Sequence, residues 1–449
     1  MDGPLPLLYG TTAMYRGRMR RSPDPTPLER LLADAAVGVA RDPSDVVLPA
    51  YDTGCLTHLP PTVGTLLGVE EGWRAAPLPL AREHAGVRKV VTFLFDGIGQ
   101  RRLAAQLQQD DAGFLELLTR YGGTHGVITS VSPSTTSVAT TVLQGNGAAP
   151  AELGTLGFTQ RMPRLGLVAN MLFWRPAGNP VAKNGDLEQW GLVPEEMLTT
   201  PSLYRLLTPA GIRTRAFLPH DIARSPLSRM QLRGTETSRY VGWVDMFMQV
   251  AAFLEADDGL AYAYAYLPDF DGISHRDGPD GPSWGPLFEA VVGGLRRFLE
   301  RLTPAARDGT LVLVTADHGH ASTPPAHQRV VQALPGVMAR MGLRHAGEPR
   351  HTYLYARQGE KAALLDAARS ELGPSFLVLD GERALAAGLY GDPDRLHPEA
   401  SQRVGDVVAL ARGTASLWDE ADVAGVRGMH GALDAEEMLV PLVVLRADA

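Results

Sequence analysis

The sequence predicts an α/β fold: a three-layer α/β/α sandwich around a central, mostly parallel sheet, with a small α+β insertion. Two patterns predict it. Four apolar, β-rich runs each end abruptly in hydroxyl, carboxylate or imidazole residues, and amphipathic helical stretches lie between them. Length is the third observation, because 449 residues exceed what one hydrophobic core usually supports.

Residues 1–84 are rich in Pro, Gly and Ala, with one amphipathic stretch from Leu28 to Val39, and read as an arm packed on the core. From Lys89, KVVTFLFDG is a continuous apolar run, the pattern of a strand buried on both faces that delivers Asp96 at its carboxyl end. A helix is expected from Arg101 to Arg120 with a break near Asp111. GVITSVSPSTT is the next strand, leading through a Pro-containing turn to Thr136 and a helix over Ser137 to Leu143. Helices at Trp243 to Glu255 and Leu287 to Leu302 flank LAYAYAYLPDFDG, and TLVLVTADHGH repeats the same grammar. The segment 343–399 reads differently: RHTYLYAR, a helix from Glu360 to Leu372, the strand SFLVLD and a helix from Glu382 to Leu389 form the expected insertion. VGDVVALAR and MLVPLVVL then return to sheet, separated by the loop carrying GMHG, so that 85–342 and 400–449 make up the core.

Composition narrows the function classes. A net charge of -8 offers no basic stripe for a nucleic-acid backbone, so no nucleic-acid partner is expected and any phosphate handled is small or bound through metal. Cys55 is the only cysteine, which rules out an internal disulfide or a thiolate metal cage and fits a reducing compartment. The first residues lack the order of a secretory signal, and no segment gives eighteen uninterrupted apolar residues. The expectation is a cytoplasmic protein without a membrane partner. Arginine far outnumbers lysine, present only as Lys89, Lys183 and Lys361, which is read as genomic composition bias.

The polar residues at the strand ends are Asp96, Thr136, Asp271, His275, Asp317, His318 and His430. Three carboxylates and three imidazoles suit two divalent cations, zinc first and manganese second. Two ions about 4 Å apart clamp the attacking and leaving oxygens of an in-line phosphoryl displacement. Thr136 precedes a helix, where a hydroxyl meets the positive dipole end and free N–H groups. The plain alternative for this segment is a Ser/Thr N-cap, and any single Asp or His could cap a turn or sit satisfied in the core. The ordered set carries the argument. Asp269 competes with Asp271, but the four-residue spacing to His275 favours Asp271.

FDG, PSTT, DFDGISH, TADHG and GMHG followed by EEMLVPLVV, in that order from Val90 to Leu445, resemble the alkaline phosphatase superfamily, specifically its type I phosphodiesterases and nucleotide pyrophosphatases. The resemblance implies that Thr136, the third residue after Pro133, is the nucleophile, with Thr135 as the rival assignment. It implies one ion held by Asp96, Asp317, His318 and the Thr136 oxygen, and another by Asp271, His275 and His430. A covalent phospho-threonine that water hydrolyses, with net retention, follows from it. The implied activity is hydrolysis of phosphodiester or pyrophosphate-type bonds in a small phosphorylated substrate, such as a nucleotide.

Departures from the pattern limit this reading. Ser137, Val138 and Ala139 stand where eukaryotic members carry Phe-Pro-Asn, leaving Asn146 and Asn170 as substitutes for the missing polar contact. Phe158, Phe173 and Trp174 are candidates for stacking a base, although core aromatics are commoner. His320 and His327, beside the TADHG motif, are read as surface or supporting residues. His125, His58, His84, His220, His345, His351 and His397 have no partner spacing, and Arg101 and Arg102 are expected to face solvent or, less simply, to clamp an anion. Phosphomonoesterase and phosphonate hydrolase remain alternatives within the superfamily. A sulfatase is disfavoured, because Cys55 lies in no Cys-x-Pro-x-Arg motif, and a phosphoglycerate mutase by threonine in place of serine. The alternative of another class is a noncatalytic phospholigand-binding protein, against which the complete ligand set argues.

Overall fold

The computed structural model describes residues 25–35, 46–109, 112–420 and 425–449. Its strands run, in chain order, β1 (Lys89–Phe95), β2 (Thr124–Thr129), β3 (Thr159–Met162), β4 (Leu167–Asn170), β5 (Arg175–Pro176), β6 (Arg213–Pro219), β7 (Glu236–Tyr240), β8 (Ala261–Leu267) and β9 (Thr310–Thr315). They continue as β10 (Ala321–Ser322), β11 (Gln328–Val330), β12 (Ala346–Glu348), β13 (His351–Leu354), β14 (Phe376–Asp380), β15 (Val407–Ala411), β16 (Ser416–Trp418), β17 (Gly428–Met429) and β18 (Leu439–Arg446).

The central sheet has the order β2-β18-β9-β1-β8-β6-β7 and helices on both sides. Every residue of β1, β8 and β9 is buried, which is why these strands are continuous apolar runs: helices cover both faces. Their parallel register, with Lys89 opposite both Ala261 and Thr310, brings their carboxyl ends to one edge. β18 runs antiparallel to both β9 and β2, so β2 delivers its own carboxyl end there too. Asp96, Asp271, Asp317 and the turn before Thr136 therefore gather along one rim.

Helices fall where the amphipathic patterns place them. The stretch expected from Arg101 to Arg120 is two helices, Gln100–Gln109 and Phe114–Arg120, with Gly113 left-handed at φ +61 before the second. Gly242–Glu255 and Trp284–Arg301 pack Phe247 and Phe298 on Phe93 of β1, with ring centroids 5.1 and 5.3 Å away. In the arm, the helix Pro27–Ala35 buries Leu28, Leu31 and Leu32, and residues 36–39 of the expected stretch lie outside the described residues.

A second seven-stranded sheet has the order β14-β15-β13-β12-β3-β4-β5. The expected insertion, 343–399, contains only β12, β13 and β14 of it. β3, β4 and β5 arrive from 159–176, and β15, read in sequence as a return to the core, pairs antiparallel with β13 and β14. The boundaries 343 and 399 thus cut through a sheet. An apolar run such as VVALA reveals burial but not which sheet it joins, and strands of two to four residues carry too little periodicity to read. No helix among the described residues is long and apolar enough to cross a membrane.

His351, at the start of β13, donates from Nδ1 to the Gly431 carbonyl at 3.1 Å, and its Nε2 accepts from the Tyr390 hydroxyl at 2.9 Å. Burial pushes this imidazole down from 6.5 to about 3. Below pH 6.5 the unfolded chain binds the proton that the folded chain refuses, so stability present above 6.5 is lost as pH falls toward 3. One group with that shift removes about 2 kcal/mol between pH 6.5 and 5. Burial holds His345 and His397 down to about 4 as well, so urea unfolding at the two pH values should show at least this loss, and His351→Asn should shrink it by about 2 kcal/mol; an unchanged pH dependence in the variant would assign the acid sensitivity elsewhere.

Candidate active site

Among the described residues, two groups of side chains have donor atoms close enough to share a cation: Asp96, Asp317 and His318, and Asp271, His275, His320 and His430. Asp96 directly follows β1, with its backbone N–H donating to the Leu267 carbonyl at 2.9 Å, and Asp317 follows β9. Gly97 sits between them at φ +80, where a Cβ would lie 2.9 Å from the Asp271 Cα and 3.0 Å from His320 Nε2. Only glycine allows both the turn and that approach.

In the first group, His318 Nε2 lies 3.4 Å from Asp96 Oδ1, 3.6 Å from Asp317 Oδ2 and 3.0 Å from the Thr136 hydroxyl. Thr136 opens the helix Thr136–Leu143, and its hydroxyl is also 3.4 Å from Asp96 Oδ2. Thr135, the rival, is the N-cap residue without a side-chain capping bond, and its hydroxyl lies beside the Glu348 carboxyl. In the second group, Asp271 and His275 share one face of the helix Asp269–Asp277, one turn apart. The Nε2 atoms of His320, His275 and His430 approach Asp271 Oδ1 to 2.9, 3.2 and 3.6 Å. The two groups abut, since the His318 and His430 rings stack at 3.6 Å between centroids, 14° from parallel.

The imidazole tautomers are fixed from behind. His275 Nδ1 donates to the Gly428 carbonyl at 2.8 Å, His430 Nδ1 to Ser134 at 3.0 Å and His318 Nδ1 to Gly319 at 3.1 Å. His318 and His430 therefore turn a bare Nε2 into the site, the state that ligates metal. Burial lowers His275, but Asp271 outweighs it and raises that imidazole to about 8, so a cation there would displace its Nε2 proton. Burial, then the charges of Asp317 and Asp271, push the Asp96 carboxyl well above its ordinary range. Burial also raises Asp271, but His275 and His320 outweigh it and hold it well below. Burial, with His318 and His320 nearby, keeps His430 neutral far below 6.5. Asp96 Oδ1 and Asp317 Oδ2 are buried with no hydrogen-bond partner. Buried carboxylate oxygens without donors are costly, and facing bare imidazole nitrogens they form a donor set that fits a divalent cation.

A family model for type I phosphodiesterase/nucleotide pyrophosphatase matches residues 90–433. The chain belongs to this family. No curated protein matches it. Among solved structures, murine ectonucleotide pyrophosphatase/phosphodiesterase 5 superposes with TM-score 0.60 at 18% identity, over 79% of this chain and 87% of that one. An inactive form of that murine protein, in complex with AMP, gives TM-score 0.60 at 17% identity over 79% and 87% of the two chains. Phosphonoacetate hydrolase from Sinorhizobium meliloti 1021, in complex with phosphonoformate, gives 0.58 at 18% identity over 80% and 91%. As a family member the chain is a hydrolase of phosphodiester, pyrophosphate or phosphonate bonds within the alkaline phosphatase superfamily.

The seven residues singled out in the sequence lie together, six within the two groups and Thr136 beside the first, while Asp269 stays outside both groups. Of the two readings of His320, surface or supporting, the structure excludes the first: it is buried and its Nε2 makes the shortest approach to Asp271. Unlike the other three imidazoles it has no acceptor for Nδ1, so it donates from Nε2 to Asp271 rather than presenting a lone pair. Its place one residue beyond Gly319 was the available signal. Other candidates are occupied elsewhere: Asn146 Nδ2 donates to Gly72, Asn170 Oδ1 caps Leu172 and Phe173, and His327 bonds Thr414. Arg101 pairs with Glu436, and Arg102 stacks 4.7 Å above Trp284. Trp174 is buried with its indole N–H on Leu192, whereas Phe158 and Phe173 form a partly exposed edge-to-face pair.

Proposed function

We propose that the protein hydrolyses phosphodiester or pyrophosphate-type bonds at a two-cation site through a phospho-threonine on Thr136. One observation carries the reading: a hydroxyl at a helix N-terminus lies 3.0 Å from His318 Nε2, beside two ligand-rich groups that abut. Asp96, Asp317, His318 and the Thr136 oxygen would hold one cation, and Asp271, His275 and His430 the other. Nitrogen and oxygen donors without thiolate favour zinc, with manganese as the alternative. Bound there, such ions supply positive charge against the phosphoryl oxygens and lower the pKa of a hydroxyl.

The chain's own part follows from position. The Thr136 and Ser137 N–H groups open the helix Thr136–Leu143 ahead of its first backbone bonds, from Val138 and Ala139 to Thr135, and would be available to a bound phosphate, whose charge the helix dipole favours. The Thr136 oxygen forms the new bond to phosphorus as the leaving oxygen departs, and water later breaks that bond from the opposite side. Two displacements give retention. His320 donates to Asp271 and would orient that carboxylate as a ligand of the second cation. His320→Gln should weaken cation binding there about tenfold, measured by calorimetric titration of metal-stripped protein, with the first group unaffected. Unchanged affinity removes His320 from this role.

Substrate class is tested with zinc- or manganese-loaded protein on bis-p-nitrophenyl phosphate, p-nitrophenyl phosphate and phosphonoacetate. Faster diester turnover is the expected result, and faster monoester turnover makes the protein a phosphatase. The likeness to a phosphonoacetate hydrolase keeps phosphonate hydrolysis as the second reading. Inertness toward all three favours a noncatalytic phospholigand-binding protein. The Phe158–Phe173 pair is the surface on which a nucleotide base would stack.

A further inference from the structure

The turn between β12 and β13 places three ionisable side chains, Glu348, Arg350 and His351, in the interior. Two of them brace the loop behind His430. Arg350 grips Glu437 at 2.7 and 2.9 Å and Asp434 at 3.1 Å, Glu437 accepts the Ala432 N–H at 2.9 Å, and His351 holds the Gly431 carbonyl. Glu348 points elsewhere. Its carboxyl accepts the backbone N–H of Phe158 and lies beside the hydroxyl of Thr135. Its stem packs on Gly431, where an added Cβ would meet Glu348 Cβ and Cγ at 2.9 Å.

Thr135 is the N-cap residue of the helix that begins at Thr136, yet its side chain makes no capping bond to that helix. An N-cap threonine ordinarily spends its hydroxyl on a first-turn N–H. Here the hydroxyl is drawn to Glu348. A carboxyl from the second sheet thus sets the residue beside the nucleophile, the backbone of one aromatic of the exposed pair, and the glycine after His430.

We propose that Glu348 is a positioning residue: through Thr135 and Phe158 it fixes the Thr136 hydroxyl and the aromatic pair relative to each other, coupling nucleophile alignment to the leaving-group side. The proposal rests on the reading of Thr136 as nucleophile. Without Glu348, Thr135 is free to cap its own helix, and the peptide leading into Thr136 turns with it. Misplacement of reacting atoms by about 1 Å costs on the order of 100-fold in rate. Glutamine in its place keeps the side chain's length and a carbonyl oxygen to accept the Phe158 N–H.

The test uses the metal-loaded full chain and the variants Glu348→Ala, Glu348→Gln and Thr135→Val. The readouts are kcat and KM on bis-p-nitrophenyl phosphate, metal content, melting temperature and orthovanadate affinity. Glu348→Ala should lower kcat about 10- to 100-fold with KM and metal content retained, and Gln should restore most of it. Thr135→Val, which removes the hydroxyl at nearly constant size, should reproduce the alanine loss even if Glu348→Ala folds poorly. Vanadate affinity, read without turnover, should fall about tenfold in Ala and Val but not in Gln. Full activity in Thr135→Val, or equal losses in Ala and Gln, overturns the proposal. Failure of the parent reading looks different: the unmutated protein then cleaves no diester, while the vanadate ranking of the variants still reports on Glu348.

Discussion

Thr136→Ala should abolish diester turnover, by on the order of 10⁴-fold or more in kcat, while the protein keeps its bound metal. Removing a nucleophile leaves only what the surrounding charge does for water attack. That residual is small because water has no counterpart to the fixed oxygen 3.0 Å from His318 Nε2 and 3.4 Å from Asp96 Oδ2. Metal content should hardly change, since the hydroxyl is one donor beside Asp96, Asp317 and His318. Side-by-side steady-state kinetics and elemental analysis decide it, and mass spectrometry of acid-quenched wild type should find phosphate on the peptide containing Thr136. Substantial residual turnover would falsify the nucleophile assignment and move attention to Thr135.

His430→Ala should strip one cation of two. His430 supplies a bare Nε2 near Asp271 and a ring stacked on His318, so its loss removes a ligand from the second group and the wall between the groups. Affinity at the second position should fall at least about 100-fold, with activity lost to match, and the first position should stay loaded. Elemental analysis after dialysis against a weak chelator should read near one ion per chain. Retention of both ions contradicts the ligand assignment, and loss of both shows the two positions to be one cooperative unit.

The candidate site was legible because its residues end buried strands. An apolar run closing in FDG or TADHG announces both the strand and the side chain it presents, and the DFDGISH spacing puts Asp271 and His275 on one helical face. Several features were not legible. β6 and β7, RTRAFLP and ETSRY, extend the central sheet to its edge, where one side meets solvent and the apolar signature fades. His320 stayed between a surface and a supporting reading, because its place beside TADHG puts it near the site without telling a buried imidazole from an exposed one. Glu348 and Arg350 lie in the loosely patterned segment EPRH, and their partners Thr135 and Glu437 are 213 and 87 positions away. Pairings of that range are set by how two sheets dock, and local periodicity carries no trace of it.

The mixed parentage of the second sheet has a practical corollary. Because β12 and β13 sit between strands from 159–176 and 407–411, and their turn braces the loop of His430, the stretch 343–399 is no detachable cassette. Swapping it between relatives to transplant selectivity should yield a chain that assembles poorly and loads its second ion weakly, so redesign has better prospects through single replacements around the exposed aromatic pair.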